Sequence, residues 1–442
     1  MSPVASLREW IEWLRGRGEL ELVSRPVSRR FEIAALAHRF DGRKAVLCPR
    51  VEGHAMPVVA NCATRRDLYA AAAGVEPTEL LDRFAAAIDA PRPCRIVEQA
   101  RVQEVVIREA IDIGTLLPVP LHHERDAGAY ITAGVVIARD PETGRRNASI
   151  HRLQVLERET LGILILPRHL WHLYLEREAR SAPLEVAVAI GLDPLTLLAS
   201  QAITPPGVDE LEIASALRGS PLPLARCVSV DLEVPAEAEI VLEGVIPPHL
   251  RRVEGPFGEF PRYYGPPSEK PVLQVRAVTH RRDAIYQTIL PAGREHLLLG
   301  GIAREASLLR ALRASVPAVA GVHLTPGGAC RYHAVVALRK RHEGDARTVL
   351  FATFATIPEV KHVIVVDEDV DIYDPEEVEW AVATRCQADR DVLIVPRAKG
   401  SELDPSSADG LGAKMGIDAT IPLDAPAERF LRIRIPLEEF QP

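Results

Sequence analysis

The chain has 442 residues, of which 47% are apolar, 26% charged and 5% aromatic, and this ordinary globular composition fits about two to four domains. The formal net charge of -8 arises from charges of both signs spread along the sequence, which argues against a basic surface for nucleic acid or for an anionic membrane. The six cysteines form no CxxC pair and no apolar run reaches the roughly 18 to 20 residues of a membrane span, so we expect a cytoplasmic protein without a zinc finger, disulfide framework or membrane helix.

The first part of the chain has the rhythm of a small α/β unit. Apolar residues recur at helical spacing from Leu7 to Leu14, which predicts an amphipathic core helix. From Glu19 onward, short apolar runs alternate with helical patterns. A proline-rich stretch at Ala90–Cys94 marks the border of this unit, and we predict an N-terminal α/β domain over residues 1–105.

The segment after this border is rich in strand-like runs, including VQEVVI, ITAGVVIAR, ASIHRLQVLE, LGILIL, LEVAVAIG and PVLQVRAVTHR. β-branched residues alternate within these runs, and turn residues separate them. This pattern predicts a barrel or a curved sheet at the centre of the protein, and we place that β-rich domain at residues 106–295.

From His296 onward, the helical pattern HLLLGGIAREASLLRAL leads into the strand-like runs AVVALRK, TVLFATFA, KHVIVVDEDVD and DVLIVP. The run VIVV is typical of a strand in a covered sheet. The last segment, SELDPSSADGLGAKMGIDATIP, is polar and predicts loops. We predict a C-terminal α/β domain over residues 296–442, so that two α/β regions flank the β-rich centre.

Two carboxylates flank a turn-forming string in EGPFGE, from Glu254 to Glu259. If the two lie close together, their repulsion and their burial raise one pKa and leave a neutral acid beside an ionised partner, as proton transfer requires. The string alone also describes a surface turn with two solvated acids. Both interpretations stay open at this point.

The string NASIHR, from Asn147 to Arg152, opens a strand-like run in which Ile150, Arg152 and Gln154 share a face. An arginine on an inward face needs an anion, which can be a substrate carboxylate or a structural acid. Asn147 offers a neutral amide oxygen of the kind that hard cations accept. A purely structural ion pair for Arg152 is the alternative.

Further polar residues are ambiguous by themselves. His169 in LPRHLWHLY can be an ordinary polar residue, and Glu210 can be an acid in the first turn of a helix. The string HHERD at His122–Asp126 resembles a metal cluster but lacks the spacing of HExxH, and we predict a loop there. Lys414 lies in the glycine-rich GLGAKMG, whose flexible amides can contact a phosphate although it is not a Walker loop.

Taken together and in order, these pieces resemble the UbiD family of prenyl-flavin decarboxylases over nearly the whole chain. The strings that carry the resemblance are NASIHR, LPRH, TPPGVDELEIASALRG, LEVPAEAEIVLEG followed by EGPFGE, and GLGAKMGIDAT. The resemblance implies a flavin-binding split β-barrel in the centre and reversible, non-oxidative decarboxylation of an unsaturated or aromatic acid. Because no side chain can delocalise the carbanion that CO2 leaves behind, a cofactor must act as the electron sink.

The resemblance also implies roles for individual residues. Arg152 would orient the substrate carboxylate, Glu259 would deliver the proton, and Glu254 would hold the arginine. The implied ligands of a divalent ion, usually manganese, are Asn147, His169 and Glu210.

Prenylated FMN is the implied cofactor, supplied by a separate flavin prenyltransferase, and potassium is a further candidate ion. The residues implied to contact the cofactor are Ser149, Ile150, His151, Arg152, Arg168, His169 and Lys414. The resemblance further implies a homo-oligomer, a dimer or a hexamer, formed mainly through the C-terminal domain.

The substrate is a small carboxylic acid whose identity these motifs do not fix. His296 and Arg304 stand eight residues apart, about 80° apart on an ideal helix, and would form a cationic pair for a second carboxylate if they face the pocket rather than solvent. The low aromatic content favours a small diacid, and we expect furan-2,5-dicarboxylate, which would give 2-furoate. A hydroxybenzoate or an acrylic-type acid is the alternative substrate. A flavin-binding module without decarboxylase activity and a metal-dependent hydrolase built on HHERD are alternatives of other classes.

Overall fold

The computed structural model describes residues 4–205, 207–408 and 410–433. These residues fall into two compact units, one ending at Ser307 and one beginning at Leu308. This boundary lies inside a helix and differs from the predicted divisions at residues 105 and 295, which stay a prediction. None of the described helices combines the length and the apolar character that crossing a bilayer needs.

The first unit opens with the predicted amphipathic helix. The Ser6 side chain accepts a hydrogen bond from the backbone of Glu9 and caps the first turn, while Leu7, Trp10 and Leu14 are buried. The prediction of a core helix here is confirmed. The helices that begin in this unit are α1 (Leu7–Gly16), α2 (Glu32–Phe40), α3 (Arg66–Ala73), α4 (Leu80–Asp89), α5 (Ile113–Leu116), α6 (His169–Ala179), α7 (Pro194–Ala199), α8 (Glu210–Arg218) and α9 (Arg294–Ser315).

Short strands dominate the rest of the first unit. They are β1 (Leu20–Leu22), β2 (Ala45–Cys48), β3 (Val58–Ala60), β4 (Arg95–Ile96), β5 (Val105–Ile107), β6 (Tyr130–Ile131), β7 (Val135–Arg139), β8 (Arg146–Ile150), β9 (Leu153–Glu157), β10 (Thr160–Ile163), β11 (Leu184–Ile190), β12 (Pro223–Arg226), β13 (Glu233–Pro235), β14 (Ile240–Ile246), β15 (Arg251–Glu254), β16 (Phe257–Gly258), β17 (Tyr264–Gly265), β18 (Ser268–His280) and β19 (Tyr286–Thr288). The smaller sheets have the strand orders β1-β2-β3-β19, β13-β12-β4 and β16-β17. Strand β19 therefore ties the N-terminal sheet to residues that follow the central strands.

The longest sheet has the order β6-β9-β10-β18-β14-β11-β7-β8, with β5 and β15 also paired to β18. Strands β6 and β7 follow each other along the chain, as do β8 and β9, and they pair as one long hairpin. The two strands at the ends of the sheet order, β6 and β8, both belong to this hairpin. The sheet must therefore curl round on itself, although among the described strands no ladder closes it into a barrel. Pairing along the hairpin is interrupted at residues 132–134 and 151–152.

The second unit contains α10 (Asp345–Thr356), α11 (Pro375–Arg385), α12 (Ala388–Asp391), β20 (Val319–Leu324), β21 (His333–Leu338), β22 (His362–Asp367), β23 (Val392–Lys399) and β24 (Leu411–Ala419). Its sheet has the order β20-β21-β22-β24-β23, in which β21, β22 and β24 are parallel. The VIVV run of β22 is buried, as predicted. The predicted fold class, with α/β regions before and after a β-rich region along the chain, is confirmed.

Two predictions for the second unit are wrong. The run TVLFATFA lies in helix α10, where Val349, Leu350 and Phe354 are buried at helical rather than strand spacing. The run GLGAKMG lies largely in strand β24 and not in a loop. A side chain at Gly416 would lie 2.7 Å from Leu350, so this glycine permits the close approach of strand and helix.

Candidate active site

The string EGPFGE carries its two acids into the interior of the first unit. Glu254 ends β15, where it pairs with Ser268 of β18, and Glu259 directly follows β16. The Glu254 side chain has no exposed surface, and Glu259 is 8% exposed. The interpretation as a surface turn with two solvated acids is therefore wrong.

Arg152 joins the two acids. Its Nε and Nη2 donate to the two carboxylate oxygens of Glu254 at 2.9 and 2.7 Å, and its Nη1 donates to Glu259 Oε1. The guanidinium also lies over the ring of Phe257, 4.8 Å from its centroid. Because a guanidinium has five N–H donors, some of them remain for a further anion after these contacts.

Arg152 lies in the link between β8 and β9 and not within one continuous strand. The prediction of one continuous strand through Ile150, Arg152 and Gln154 is therefore wrong, although the side chains of Arg152 and Gln154 both contact residues 254–255. The reason is that the hairpin changes its pairing partners at residues 151–152, where the chain passes from one end of the sheet order to the other.

A buried amide supports the turn after Glu254. The side-chain oxygen of Gln154 accepts hydrogen bonds from the backbone N–H of Gly255 at 3.1 Å and from the Tyr130 hydroxyl at 3.0 Å. Burial, and then the Glu254 carboxylate, raise the pKa of Tyr130, so this hydroxyl stays a proton donor. The turn that leads from one acid to the other is thus fixed to the hairpin that carries Arg152.

The HHERD string forms a turn that packs against the same glutamate-bearing segment. Asp126 Oδ1 accepts from the backbone N–H of Gly258 at 2.8 Å, and His122 Nε2 lies 3.2 Å from Thr288 Oγ1. Burial lowers the pKa of His122 to about 3, so its imidazole is neutral. The predicted loop is confirmed, but sequence reasoning missed its contact with Gly258, because nothing in the linear string relates these two distant segments.

The predicted metal ligands Asn147 and Glu210 are in direct contact. Asn147 Nδ2 donates to Glu210 Oε1 at 3.1 Å, and the backbone N–H of Ala148 donates to Oε2 at 2.8 Å. Both donors are neutral, and burial raises the pKa of Glu210 to about 8. Glu210 is the first residue of α8, as the sequence predicts.

An ion pair that sequence reasoning missed fixes these two elements together. Arg146, the residue before Asn147, forms a salt bridge of 2.7 Å with Asp209, the residue before Glu210. Arg146 also donates to Glu233 at 2.8 Å. The available signal in the sequence was a pair of opposite charges placed directly before the two predicted ligands.

The third predicted ligand, His169, is the first residue of α6. Helices α6 and α8 both pack against β8, so the three predicted ligands lie on neighbouring elements. Burial, and then the charge of Arg168, lower the pKa of His169, which favours the neutral imidazole that binds metals. Within residues 4–205, 207–408 and 410–433, no three His, Cys, Asp or Glu side chains form a metal-binding group. The predicted set contains only two such side chains, since its third ligand is the amide oxygen of Asn147.

The residues expected along the cofactor lie on and just after β8. Ser149 Oγ and His151 Nε2 are 2.9 Å apart, His151 Nδ1 lies 2.9 Å from Leu164 O, and burial lowers the pKa of His151 to about 4. Strand β8 is the last in the sheet order, and the N–H of Ala148 points away from its partner strand toward Glu210. Because backbone groups alternate in direction, the backbone of Ile150 faces the same free side.

Two predicted cofactor contacts lie outside β8. Arg168 is exposed and occupies the N-cap position of α6. Lys414 lies in β24 of the second unit, where Nζ donates to Pro358 O at 2.7 Å and to Val360 O at 2.6 Å, and burial lowers its pKa. Their contacts with the cofactor stay predictions.

The expected substrate residues His296 and Arg304 both lie on α9 within the first unit. His296 Nδ1 accepts from the backbone N–H of Ala292 at 3.1 Å. Arg304 is 7% exposed, and its Nη1 donates to Gly300 O at 3.1 Å. The solvent-facing alternative is therefore wrong for Arg304, while the contact with substrate stays a prediction.

Three family profiles match consecutive parts of the chain. They describe the N-terminal, Rift-related and C-terminal domains of 3-octaprenyl-4-hydroxybenzoate carboxy-lyase, UbiD, and they match residues 11–88, 95–294 and 297–419. Together they span most of the sequence.

Individual relatives agree with these profiles. The chain is 42% identical over 419 residues to the anhydromevalonate phosphate decarboxylase of Methanothermobacter thermautotrophicus, covering 94% of this chain and 97% of the relative. It superposes with a TM-score of 0.97 and 59% identity on the UbiD-class enzyme HmfF from Pelotomaculum thermopropionicum in complex with FMN, covering 98% of both chains. An evolved dimeric form of HmfF in complex with prFMN gives a TM-score of 0.93 at 56% identity, over 99% of this chain and 98% of that one. The motifs, the fold and these matches agree, and the chain therefore belongs to the UbiD family and is a carboxy-lyase.

Proposed function

We propose that this chain decarboxylates furan-2,5-dicarboxylate to 2-furoate on prenylated FMN. In this reaction the bond between a ring carbon and one carboxylate breaks, CO2 leaves, and a proton takes its place on the ring. The observation that carries the proposal is the buried group in which Arg152 contacts both Glu254 and Glu259.

Each member of this group has a distinct task. Glu254 takes two guanidinium N–H groups and so holds Arg152 in one orientation. The remaining N–H donors of Arg152 bind the carboxylate that will leave. Glu259 holds the proton that replaces CO2, and its contact with the same guanidinium places the proton donor beside the leaving carboxylate.

Prenylated FMN supplies the electron sink that the departing CO2 requires. Support for this cofactor comes from the complexes of the similar HmfF chains with FMN and prFMN. The backbone of Ile150 and the side chains of Ser149 and His151 would hold it along the free side of β8, with Arg168 and Lys414 as further contacts. A separate flavin prenyltransferase would provide it.

The donor set at Asn147, His169 and Glu210 fits a divalent ion. A carboxylate, an amide oxygen and a neutral imidazole suit manganese or a similar ion. The raised pKa of Glu210 fits as well, because a buried carboxylate held by neutral donors lacks the positive charge that such an ion would provide. Potassium is a further ion that we propose, without assigning residues to it.

The choice of acid rests on His296 and Arg304, which would bind the second carboxylate of the substrate. A second candidate substrate is anhydromevalonate phosphate, which is favoured by the names of the curated relatives at 36% to 42% identity. Its phosphate is also an anionic group remote from the carboxylate, so the same cationic pair would serve. A hydroxybenzoate, or an acrylic-type acid without a second anionic group, would leave His296 and Arg304 without a ligand.

The test is an assay of the chain co-produced with a flavin prenyltransferase. We expect loss of CO2 from furan-2,5-dicarboxylate, and loss of about 10- to 100-fold in kcat/KM in His296→Ala and Arg304→Ala, the size of a lost charged hydrogen bond. The controls His38→Ala and Arg15→Ala remove exposed helical side chains and should leave kcat/KM unchanged. Faster turnover of the phosphorylated acid would select the second candidate, and cofactor-loaded protein that turns over none of these acids would contradict the proposal.

The assembly is also a proposal. We infer three domains, at residues 1–105, 106–295 and 296–442, and a homo-oligomer, dimer or hexamer, formed mainly through the last of them. Light scattering of the full chain and of the evolved dimeric HmfF as a size standard would distinguish a monomer, a dimer and a hexamer.

A further inference from the structure

We propose that Asp126 and His123 form a positioning pair for Glu259, holding the backbone that carries this acid against Arg152. The inference rests on the proposed function, in which Glu259 is the proton donor. It gives the HHERD string a role that is neither a metal site nor an inert loop.

Both carboxylate oxygens of Asp126 are committed to backbone N–H groups. Oδ1 accepts from Gly258 at 2.8 Å, Oδ2 accepts from His123 at 2.9 Å, and the side chain has no exposed surface. A buried carboxylate is costly unless it is hydrogen-bonded, so this arrangement strongly favours one position of the Gly258 amide relative to the loop. Gly258 is the residue directly before Glu259.

The imidazole of His123 packs on the same strand residue. A methyl group at Gly258 would lie only 2.5 Å from His123 Nδ1, so glycine is required for the ring to occupy this place. The ring stands perpendicular to that of Tyr264, which pairs with Gly258 in the β16-β17 ribbon. His123 Nδ1 also lies 3.4 Å from Asp126 Oδ2, so the ring and the carboxylate are neighbours beside Gly258.

The loop is itself anchored on two sides. The backbone N–H of Ala127 donates to Pro256 O at 2.9 Å, inside the turn between the two acids. His122 reaches the other way and lies within hydrogen-bond distance of Thr288 in β19. A change in the loop is therefore transmitted to the backbone on which Glu259 stands.

Because proton transfer is sensitive to distance, the position of the Gly258 amide should affect the rate of the reaction. A shift of the Gly258 amide moves the adjacent Glu259, and a misplacement of about 1 Å in a catalytic group can cost roughly 100-fold in rate. Asp126 and His123 do not touch the reacting atoms in this scheme, so they act through the position of Glu259.

The first test is Asp126→Asn in the cofactor-loaded enzyme. The amide can still accept from Gly258, but its NH2 then faces the N–H of His123, so the loop must shift. We expect kcat to fall about 10- to 100-fold with KM unchanged, and the solvent deuterium isotope effect on kcat to rise, because proton delivery becomes slower. Asp140→Asn is the matched control, since Asp140 also accepts two backbone N–H bonds, in an exposed turn; its kcat and isotope effect should not change.

The second test keeps the inference open to refutation if Asp126→Asn does not fold. Gly258→Ala should lower kcat through its clash with His123, and adding His123→Ala should restore part of it by removing the ring. Wild-type kcat and isotope effect in Asp126→Asn, or in Gly258→Ala, would overturn the positioning role. Glu259→Gln separates the two claims: full activity in that variant would instead overturn the proposed role of Glu259 itself.

Discussion

Two buried glutamate sites lie against the same curled sheet and differ in how their charge is balanced. At the first, Arg152 donates to both Glu254 and Glu259, so the countercharge belongs to the chain. At the second, Glu210 is held by the backbone of Ala148 and the amide of Asn147, both neutral, and its pKa is raised to about 8. At the first site the chain itself therefore supplies a countercharge, whereas the neutral donors at the second fit the divalent ion that we propose there.

A third buried carboxylate shows that a raised pKa alone does not define a metal site. Glu295 is 2% exposed, accepts from the backbone N–H groups of Cys62 and Ala63 at 3.1 and 3.0 Å, and burial raises its pKa to about 8 as well. Both of its carboxylate oxygens accept hydrogen bonds from backbone N–H groups. What distinguishes Glu210 is the chemistry of its neighbours and not its burial.

The largest effect should come from removing the countercharge of the first site. Arg152→Met leaves two buried carboxylates without their partner, and losing one member of a buried pair costs about 3–5 kcal/mol. We expect the free energy of unfolding, measured by urea denaturation, to fall by this amount. Decarboxylase activity should be lost as well.

Arg251→Met is the matched control for that variant. Arg251 also pairs with a glutamate, Glu178 at 2.8 Å, and lies over an aromatic ring, that of Tyr174 at 5.0 Å, but its side chain is 25% exposed. Because this pair is less buried than that of Arg152, its loss should cost less than about 3–5 kcal/mol. If the free energy of unfolding fell equally in the two variants, burial would not determine how much the arginine stabilises the first site.

The sequence predicted the three residues of the first site, Arg152, Glu254 and Glu259, but not how the chain brings them together. EGPFGE alone left a surface turn open, and its link to NASIHR came from the resemblance and not from periodicity. The break at residues 151–152 and the contact of Asp126 with Gly258 depend on which remote strands pair, and local patterns carry no such information.

In the second unit the errors came from ambiguous local signals. A short apolar run such as TVLFATFA fits a strand or a buried helix, and the helix is favoured because its buried residues recur three to four positions apart. Glycines in GLGAKMG indicated a loop, although Gly416 is there to let β24 approach Leu350 closely. Fold class was predictable because it needs the order of element types alone.

A second variant sharpens the comparison by removing the charge of Glu210. Glu210→Gln keeps the shape and one of the two hydrogen-bond acceptors but not the negative charge that a divalent ion needs. We expect manganese affinity, measured by calorimetry on metal-free protein, to fall by more than the roughly 10- to 100-fold typical of losing a residue behind a ligand. Glu295→Gln is the control and should bind manganese as the unmodified chain does. Unchanged affinity in Glu210→Gln would remove this glutamate from the proposed metal site.

The pH dependence of stability tests the effect of burial on Glu295. Its pKa of about 8 in the folded chain lies above the ordinary value of 4.5, so between these pH values the folded state keeps a proton that the unfolded state has lost. The free energy of unfolding therefore falls as pH rises through this window, by up to about 1.4 kcal/mol per pH unit from this group. Glu295→Gln should flatten that slope in urea denaturation between pH 5 and pH 8.

Glu32→Gln is the control with the opposite sign. A backbone hydrogen bond from Ser28, and then Arg25, lower the pKa of Glu32, so its contribution is present at neutral pH and lost in acid. This variant should change the stability curve below about pH 4.5 and not between pH 5 and 8. Glu210, whose pKa is also raised to about 8, should leave part of the slope in place. A slope that is unchanged in Glu295→Gln would assign the pH dependence to other groups.

The smallest effect should come from the residues that support the first site. Tyr130→Phe deletes the hydroxyl that donates to Gln154, but Gln154 keeps its bond from Gly255 and the ring stays 4.4 Å from that of Phe257. The loss should be about 1 kcal/mol in urea denaturation, the net value of one hydrogen bond, with activity retained because Glu254 still holds Arg152 through two N–H groups.

Tyr69→Phe is the control for the loss of a tyrosine hydroxyl. Tyr69 is also fully buried, but its hydroxyl has no hydrogen-bond partner among the described residues, so deleting it should be neutral or stabilising. The difference between the two tyrosine variants then measures the hydrogen bond itself. If Tyr130→Phe instead abolished activity as Arg152→Met should, the supporting hydrogen bonds and not the countercharge would be what keeps the first site in place.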